Sequence, residues 1–231
     1  MEEQLRNLAA MMDHTLLKAD ATKESLLQVC RECEQWHFRM IAINSAQVSL
    51  CAEALRNTEV HVGAAISFPL GQTERTIKLM ECEQAIHHGA DEIDYVINLT
   101  EVKAGNWAAV QREMEEMTRL CHRYDKICKV ILETCYLTEE EIVILARMAS
   151  RVRPDFIKTS TGFGSAGATV QHVRLMKAEA GDHVQVKAAG GIRSLDTLLA
   201  MREAGATRIG TSASVQIMEE ASRRLKAGER W

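Results

Sequence analysis

Short apolar runs recur along the chain at nearly regular intervals: Met12 to Leu17, Met40 to Ile43, Val60 to Phe68, Glu92 to Asn98, Ile127 to Leu132, Asp155 to Thr159, His183 to Ala188 and Thr207 to Thr211. They predict eight strands. The segments between them carry helical periodicity; from Thr76 to His88, for example, Ile77, Met80, Cys82, Ala85 and Ile86 include i, i+3 and i+4 apolar partners. Helix ends agree with this. Thr138 and Glu141 have capping-box spacing, Ser194 is placed to cap a helix opening at Leu195, and Gly89 and Gly205 stand where helices end in a left-handed residue. Strands alternating with helices predict a parallel α/β architecture, and eight units favour closure into a (β/α)8 TIM barrel over an open sheet.

Length and composition fit that frame. The chain has 231 residues, near the roughly 250 typical of such a barrel. Its only prolines are Pro69 and Pro154, and no low-complexity stretch marks a linker, so residues 1–231 are expected to form a single domain. With 46% hydrophobic but only 4% aromatic residues, the core must be built from aliphatic side chains and methionine. The formal charge of -4 and the lack of a basic block predict neither a nucleic-acid nor a membrane partner, so any phosphate must be held by a local site. Seven irregularly spaced cysteines, without a secretory leader, predict reduced thiols and a cytoplasmic location. No run of 18 apolar residues could span a bilayer.

A weak internal repeat brings in the chemistry. Met40-Ile41-Ala42, Glu92-Ile93-Asp94, Phe156-Ile157-Lys158 and Arg208-Ile209-Gly210 read alike, and they fall on the second, fourth, sixth and eighth strands. Alternate strands of such a barrel supply one interior layer, so Ala42, Asp94, Lys158 and Gly210 are expected to share one. Asp94 and Lys158 would then be charges buried within apolar strands. A structural ion pair is one reading. Against it stands Lys187, ending the neighbouring seventh strand, because two cations and one carboxylate do not neutralise each other.

An ordinary lysine, with pKa near 10.4, exposes a nucleophilic amine in only about one molecule in two thousand at pH 7. Burial and a neighbouring cation are the recognised means of lowering that value, and Lys187 can supply the second. A neutral Lys158 could attack a carbonyl and form an iminium, making or breaking a carbon–carbon bond without metal or cofactor. Asp94 would then move protons. The Gly190-Gly191 and Gly210-Thr211-Ser212 loops follow the seventh and eighth strands, where backbone N–H groups commonly hold a phosphate.

Several segments resemble one family over most of the chain, from about Asp13 to Val215: Asp13-His14-Thr15-Leu16-Leu17, Ser67-Phe68-Pro69-Leu70-Gly71, Gly89 to Asp94, Lys129 to Thr134, Phe156 to Gly162 and Gly190 to Arg193. This pattern is similar to that of the deoxyribose-phosphate aldolases. The resemblance implies a class I aldolase that reversibly cleaves 2-deoxy-D-ribose 5-phosphate to acetaldehyde and D-glyceraldehyde 3-phosphate through a Schiff base on Lys158. It implies Asp94 and Lys187 as proton-transfer group and pKa-setting cation, and Asp13, Thr15, Thr161, Gly162, Gly190, Gly191, Gly210 and Ser212 as substrate contacts. The partners expected are a sugar phosphate and aldehydes, with a homodimer or higher homo-oligomer left open. Many members carry cysteine in place of Ala42, proline in place of Ser45, and serines in place of Ala189 and Ala213. Two alternatives stay open: an isomerase or epimerase working by proton transfer alone, and a non-catalytic sugar-phosphate-binding barrel.

Other features carry less. Cys30 and Cys33, with His37 four residues on, invite a zinc site, but no second pair completes it, and two small helix residues are the plainer reading. For His14, beside Asp13 at the mouth of the first strand, a structural hydrogen bond and a catalytic role both stay open, and Lys129 and Glu133 are expected to form an ion pair inside the barrel. Glu113, Glu115 and Glu116 read as a solvated helix face.

Overall fold

The computed structural model describes residues 2–231. Eight parallel strands close in chain order: β1 Met12–Leu16, β2 Met40–Asn44, β3 His61–Ile66, β4 Glu92–Val96, β5 Ile127–Ile131, β6 Phe156–Lys158, β7 Gln185–Ala189 and β8 Arg208–Thr211. Around them lie α1 Glu2–Ala9, α2 Lys23–Trp36, α3 Val48–Ala54, α4 Arg75–His87, α5 Leu99–Lys103, α6 Trp107–Arg123, α7 Glu139–Val152, α8 Val170–Glu179, α9 Leu195–Glu203 and α10 Ser214–Lys226. This is a single-domain (β/α)8 barrel, and each run read from the sequence overlaps one of its strands; β2 and β7 extend one residue past their runs, to Asn44 and Ala189. The runs overshoot where loop chemistry takes over. β3 stops at Ile66 because Ser67 turns to φ 51°, and β4 stops at Val96 because the Asn98 side chain caps α5.

The caps form as their residue types require. Thr138 and Glu141 make the reciprocal box at the start of α7, and Ser194 accepts from the Thr197 N–H at the start of α9. Gly89 and Gly205 end α4 and α9 at φ +105° and +110°.

Strand register explains why the barrel has two unlike faces. Ala42 pairs with Gly63, Gly63 with Glu92, and Asp94 with Lys129, so a level ring around the axis rises two residues for every two strands. Ala42, Asp94, Lys158 and Gly210 fall on one such ring, and Met40, Glu92, Phe156 and Arg208 on the ring beneath it. Residues of the opposite parity, among them Ile41, Ile93, Tyr95, Val130, Ile157, Val186 and Ile209, join the large apolar cluster shared with the helices. The hydrophobic core therefore surrounds the barrel, and burying these faces stabilises the fold by roughly 25 cal/mol per Å² of apolar surface. The barrel lumen is left for polar groups.

One helix position departs from expectation. Glu113 is buried, not solvated: α6 turns it inward, where it accepts from Lys78 Nζ at 2.9 Å and from the Asn98 N–H at 3.1 Å. Lys78 also donates to the carbonyls of Val96 and Gly71, so this pair fastens α4 and α6 to the loops after β3 and β4.

Candidate active site

Among the described residues the lumen holds three carboxylates, Asp13, Glu92 and Asp94, and four cations, Lys129, Lys158, Lys187 and Arg208, all buried. Alternation along the strands puts them there, because each occupies an inward position while its neighbours in sequence turn outward. Asp94 is the hub. Its Oδ1 accepts from Lys129 Nζ at 2.7 Å, and its Oδ2 from Lys158 Nζ at 2.8 Å and Lys187 Nζ at 2.7 Å. Lys187 also meets Asp13 at 2.5 Å, while Arg208 bridges Asp13 at 2.8 Å and Glu92 at 3.0 Å. Lys129 closes the net on Glu92 at 2.5 Å.

Charge balance in this net singles out one lysine. If every group were ionised, four positive charges would face three negative ones in a medium that stabilises excess charge poorly. Burial is the largest influence on Lys158 and lowers its pKa; Asp94 pulls the other way, Lys187 and Lys129 add to the lowering, and the result is about 8. About one amine in ten is then neutral at pH 7. Lys129 moves in the opposite direction: burial would lower it, but Asp94 and Glu92 outweigh burial and hold it above the usual lysine value. Burial would likewise raise Asp94, yet Lys129, Lys158 and Lys187 keep it well below the usual carboxylate range.

Lys158 lies at the floor of a cavity of about 330 Å³ at the C-terminal ends of the strands. Thr15, Thr161, Gly162, Gly190, Gly191, Gly210 and Ser212, all anticipated from the sequence, line the same cavity. Gly190 and Gly191 have φ of +87° and +77°, which allows consecutive left-handed residues to turn backbone toward the cavity. At Gly210 an added Cβ would come 3.2 Å from Lys187 Cε, so its missing side chain also makes room for that lysine.

Asp94 and Lys187 do not line the cavity but stand beneath it, Asp94 in contact with both Lys158 and Lys187. Asp13 departs from its expected sugar contact. It lies one inward position too deep on β1, is fully buried, and is occupied by Lys187 and Arg208. The expected pairing of Lys129 with Glu133 also does not form. β5 ends at Ile131, and Glu133, at φ 44°, turns out of strand register to accept from the Thr161 N–H at 3.2 Å and from its hydroxyl.

Three sets of residues here were given no site role in the sequence reading. Glu92 and Arg208 lie two positions before Asp94 and Gly210, so strand alternation alone could have placed them in the lumen. Lys18 and Arg193, exposed cations at the cavity rim without a carboxylate within 4 Å among the described residues, had no periodic signal. Neither had Phe163 on the β6–α8 loop, which packs edge-on against Phe68 with ring centres 5.4 Å apart. His14 does make its structural bond, to Glu32 at 2.9 Å, on the outside of the barrel. Cys30 and Cys33 are buried residues of α2, and the described residues include no group of three or more side chains arranged to hold a metal.

Comparison with known proteins identifies one family over most of the chain. The model of the DeoC/LacD family aldolases matches residues 8–217. Deoxyribose-phosphate aldolase of Lactobacillus acidophilus is 51% identical over 98% of this chain and 95% of its own length, and that of Bacteroides thetaiotaomicron is 50% identical over 97% and 94%. Among solved structures, a tetrameric deoxyribose phosphate aldolase from Aeropyrum pernix superposes with a TM-score of 0.87 at 30% identity, covering 97% of this chain and 93% of that one.

Proposed function

The chain belongs to the DeoC/LacD family of aldolases, and from that premise we propose that it cleaves 2-deoxy-D-ribose 5-phosphate reversibly to acetaldehyde and D-glyceraldehyde 3-phosphate through a Schiff base on Lys158. The observation that carries this reading is the uncompensated lysine: an amine brought to about 8, at the floor of a cavity, touching a carboxylate that two other lysines keep ionised.

The chemistry follows from those contacts. Neutral Lys158 adds to C1 of the open-chain sugar, and Asp94, through Oδ2, helps carry the protons that convert the carbinolamine to an iminium with loss of water. Loss of the C3 hydroxyl proton then breaks the C2–C3 bond, its electrons passing to the iminium nitrogen. Glyceraldehyde 3-phosphate leaves and an enamine remains. Protonation at C2 and hydrolysis release acetaldehyde and regenerate the amine. Lys187 acts on Lys158 by charge and by sharing Asp94 Oδ2.

The phosphate arm is assigned to the opposite end of the cavity, with Gly190, Gly191, Gly210 and Ser212 as contacts and Thr15, Thr161 and Gly162 along the sugar. Lys18 and Arg193 at the rim supply positive charge that the protein as a whole, at -4, does not. A cytoplasmic location is part of the same reading, and it is consistent with there being no helix long and apolar enough to cross a membrane among the described residues. Homo-oligomeric assembly is the expectation supported by the tetrameric Aeropyrum relative.

The test is covalent trapping. Incubation with acetaldehyde and borohydride, followed by peptide mass spectrometry, is expected to find an ethyl group on Lys158. Full cleavage activity with no adduct at Lys158 would reject the Schiff base and favour proton-transfer chemistry alone.

A further inference from the structure

Glu133 is a buried carboxylate with an unusual set of partners. It is 2% exposed, yet no cation lies within 4 Å of it among the described residues. It also holds a left-handed backbone, φ 44° and ψ 62°, that costs a non-glycine residue of order 1 kcal/mol. Such a group persists when the structure around it overdetermines it, and here its oxygens have a specific occupation. Oε1 accepts from the Thr161 N–H at 3.2 Å, and Oε2 accepts from the Thr161 hydroxyl. Gly164 packs directly on the carboxylate, where an added Cβ would fall 3.2 Å from Glu133 Cδ.

Counting hydrogen-bond capacity at Thr161 gives the consequence. A hydroxyl has one donor and two lone pairs. The donor is committed to Glu133, and one lone pair receives the Phe163 N–H at 3.0 Å. What remains for the cavity that Thr161 lines is one acceptor, strengthened because its proton is held by an anion. The location is central. Thr161 lies three residues after Lys158, and the adjoining Gly162 comes near Gly190, where a Cβ on Gly162 would be 3.9 Å from Gly190 Cα. Thr161 thus stands between the nucleophile and the proposed phosphate loop, opposite the middle carbons of a substrate spanning the two.

We propose that Glu133 is a positioning residue that fixes the Thr161 hydroxyl as a hydrogen-bond acceptor, so that the site prefers aldehydes carrying a hydroxyl next to the carbonyl over those lacking it. The inference rests on the aldolase reading above. The hydroxyl concerned is the C2 hydroxyl of glyceraldehyde 3-phosphate, which becomes the C4 hydroxyl of the sugar. Glutamine at position 133 cannot reproduce the arrangement. An amide offers one accepting atom where Thr161 presents two donors, so either the N–H is left unsatisfied or the hydroxyl reverses and points its own proton into the cavity.

The experiment compares two acceptors in the acetaldehyde condensation: D-glyceraldehyde 3-phosphate and 3-oxopropyl phosphate, which keeps the phosphate but lacks the hydroxyl. In the wild type, kcat/KM is expected to favour the hydroxylated acceptor on the order of 10- to 100-fold, the worth of one hydrogen bond to a charged network. Glu133→Gln and Thr161→Val should each bring that ratio close to one, chiefly by slowing the hydroxylated acceptor, while Thr161→Ser keeps the preference. Because Glu133→Gln could disturb folding, the Val and Ser variants at position 161 test the hydroxyl independently, and a folded Glu133→Gln that keeps the wild-type ratio overturns the role of Glu133. A ratio unchanged in Thr161→Val, or lost equally in Thr161→Ser, overturns the proposal. Borohydride trapping in the wild type separates the two readings: no adduct at Lys158 rejects the Schiff base, whereas an adduct with an insensitive acceptor ratio rejects only the role of Glu133.

Discussion

Replacing Lys158 by methionine should abolish catalysis and stabilise the protein, with a gain that depends on pH in a calculable way. The folded-state pKa of about 8 lies below the ordinary lysine value of 10.5. At 1.36 kcal/mol per pH unit, that separation corresponds to about 3 kcal/mol. The sign follows from proton counts. Below pH 8 both folded and unfolded chains carry the proton, and the fold bears the whole cost of burying the ammonium. Between 8 and 10.5 the unfolded chain holds a proton the folded chain has lost, so stability rises with pH, and above 10.5 the cost is gone. Methionine keeps the aliphatic stem with similar volume and leaves three carboxylates facing three cations. Urea unfolding of wild type and Lys158→Met at several pH values cancels the tyrosine and cysteine titrations common to both. The difference in unfolding free energy should favour the variant at pH 7 and shrink by about 3 kcal/mol by pH 10.5. A difference that stays flat with pH would show that Lys158 is not held with a lowered pKa, and the charge-balance argument would fail.

Three further outcomes follow from the same network. Lys187→Met removes a cation that lowers Lys158 and frees Asp94 Oδ2 for it, so the pH needed for borohydride trapping should move upward; an unmoved trapping profile would show that Lys187 does not tune the nucleophile. Asp13→Leu leaves Lys187 and Arg208 short of a buried partner and should cost about 3–5 kcal/mol of stability, read as a lowered denaturation midpoint; wild-type stability with a raised KM alone would return Asp13 to the sugar. Lys18→Ala and Arg193→Ala together should raise KM for the phosphorylated substrate while leaving KM for unphosphorylated deoxyribose little changed, and equal effects on both would remove these rim cations from the phosphate arm.

How much of this was legible in the chain depends on the range of the interaction involved. β4 shows both sides within five residues. The alternation Glu92-Ile93-Asp94-Tyr95 fixed which side chains face together, because a strand has period two whatever surrounds it. That alternation alone could not say that the polar side faces inward, since most sheets put their apolar side there; the matching repeat on alternate strands of a barrel supplied that, and closure with helices outside turns Ile93 and Tyr95 to the core and Asp94 to the lumen. Capping at Thr138 and Ser194 was equally local and equally readable. Glu113 was not: its burial depends on Lys78, 35 residues away on another helix.

The sequence by itself determined the repeat of strand and helix, the layer containing Asp94 and Lys158, and the glycine loops beyond the seventh and eighth strands. Those signals lie in neighbouring residues, and backbone geometry converts them directly into direction and turn. Tertiary structure decided the partners: Asp13 below the cavity instead of facing it, Lys129 on Glu92 and Asp94 instead of Glu133, and Glu133 holding Thr161. An ion pair forms between whichever charged ends closure brings within about 3 Å, and that distance is set by barrel stagger summed over all eight strands, a quantity carried by no single segment of the chain.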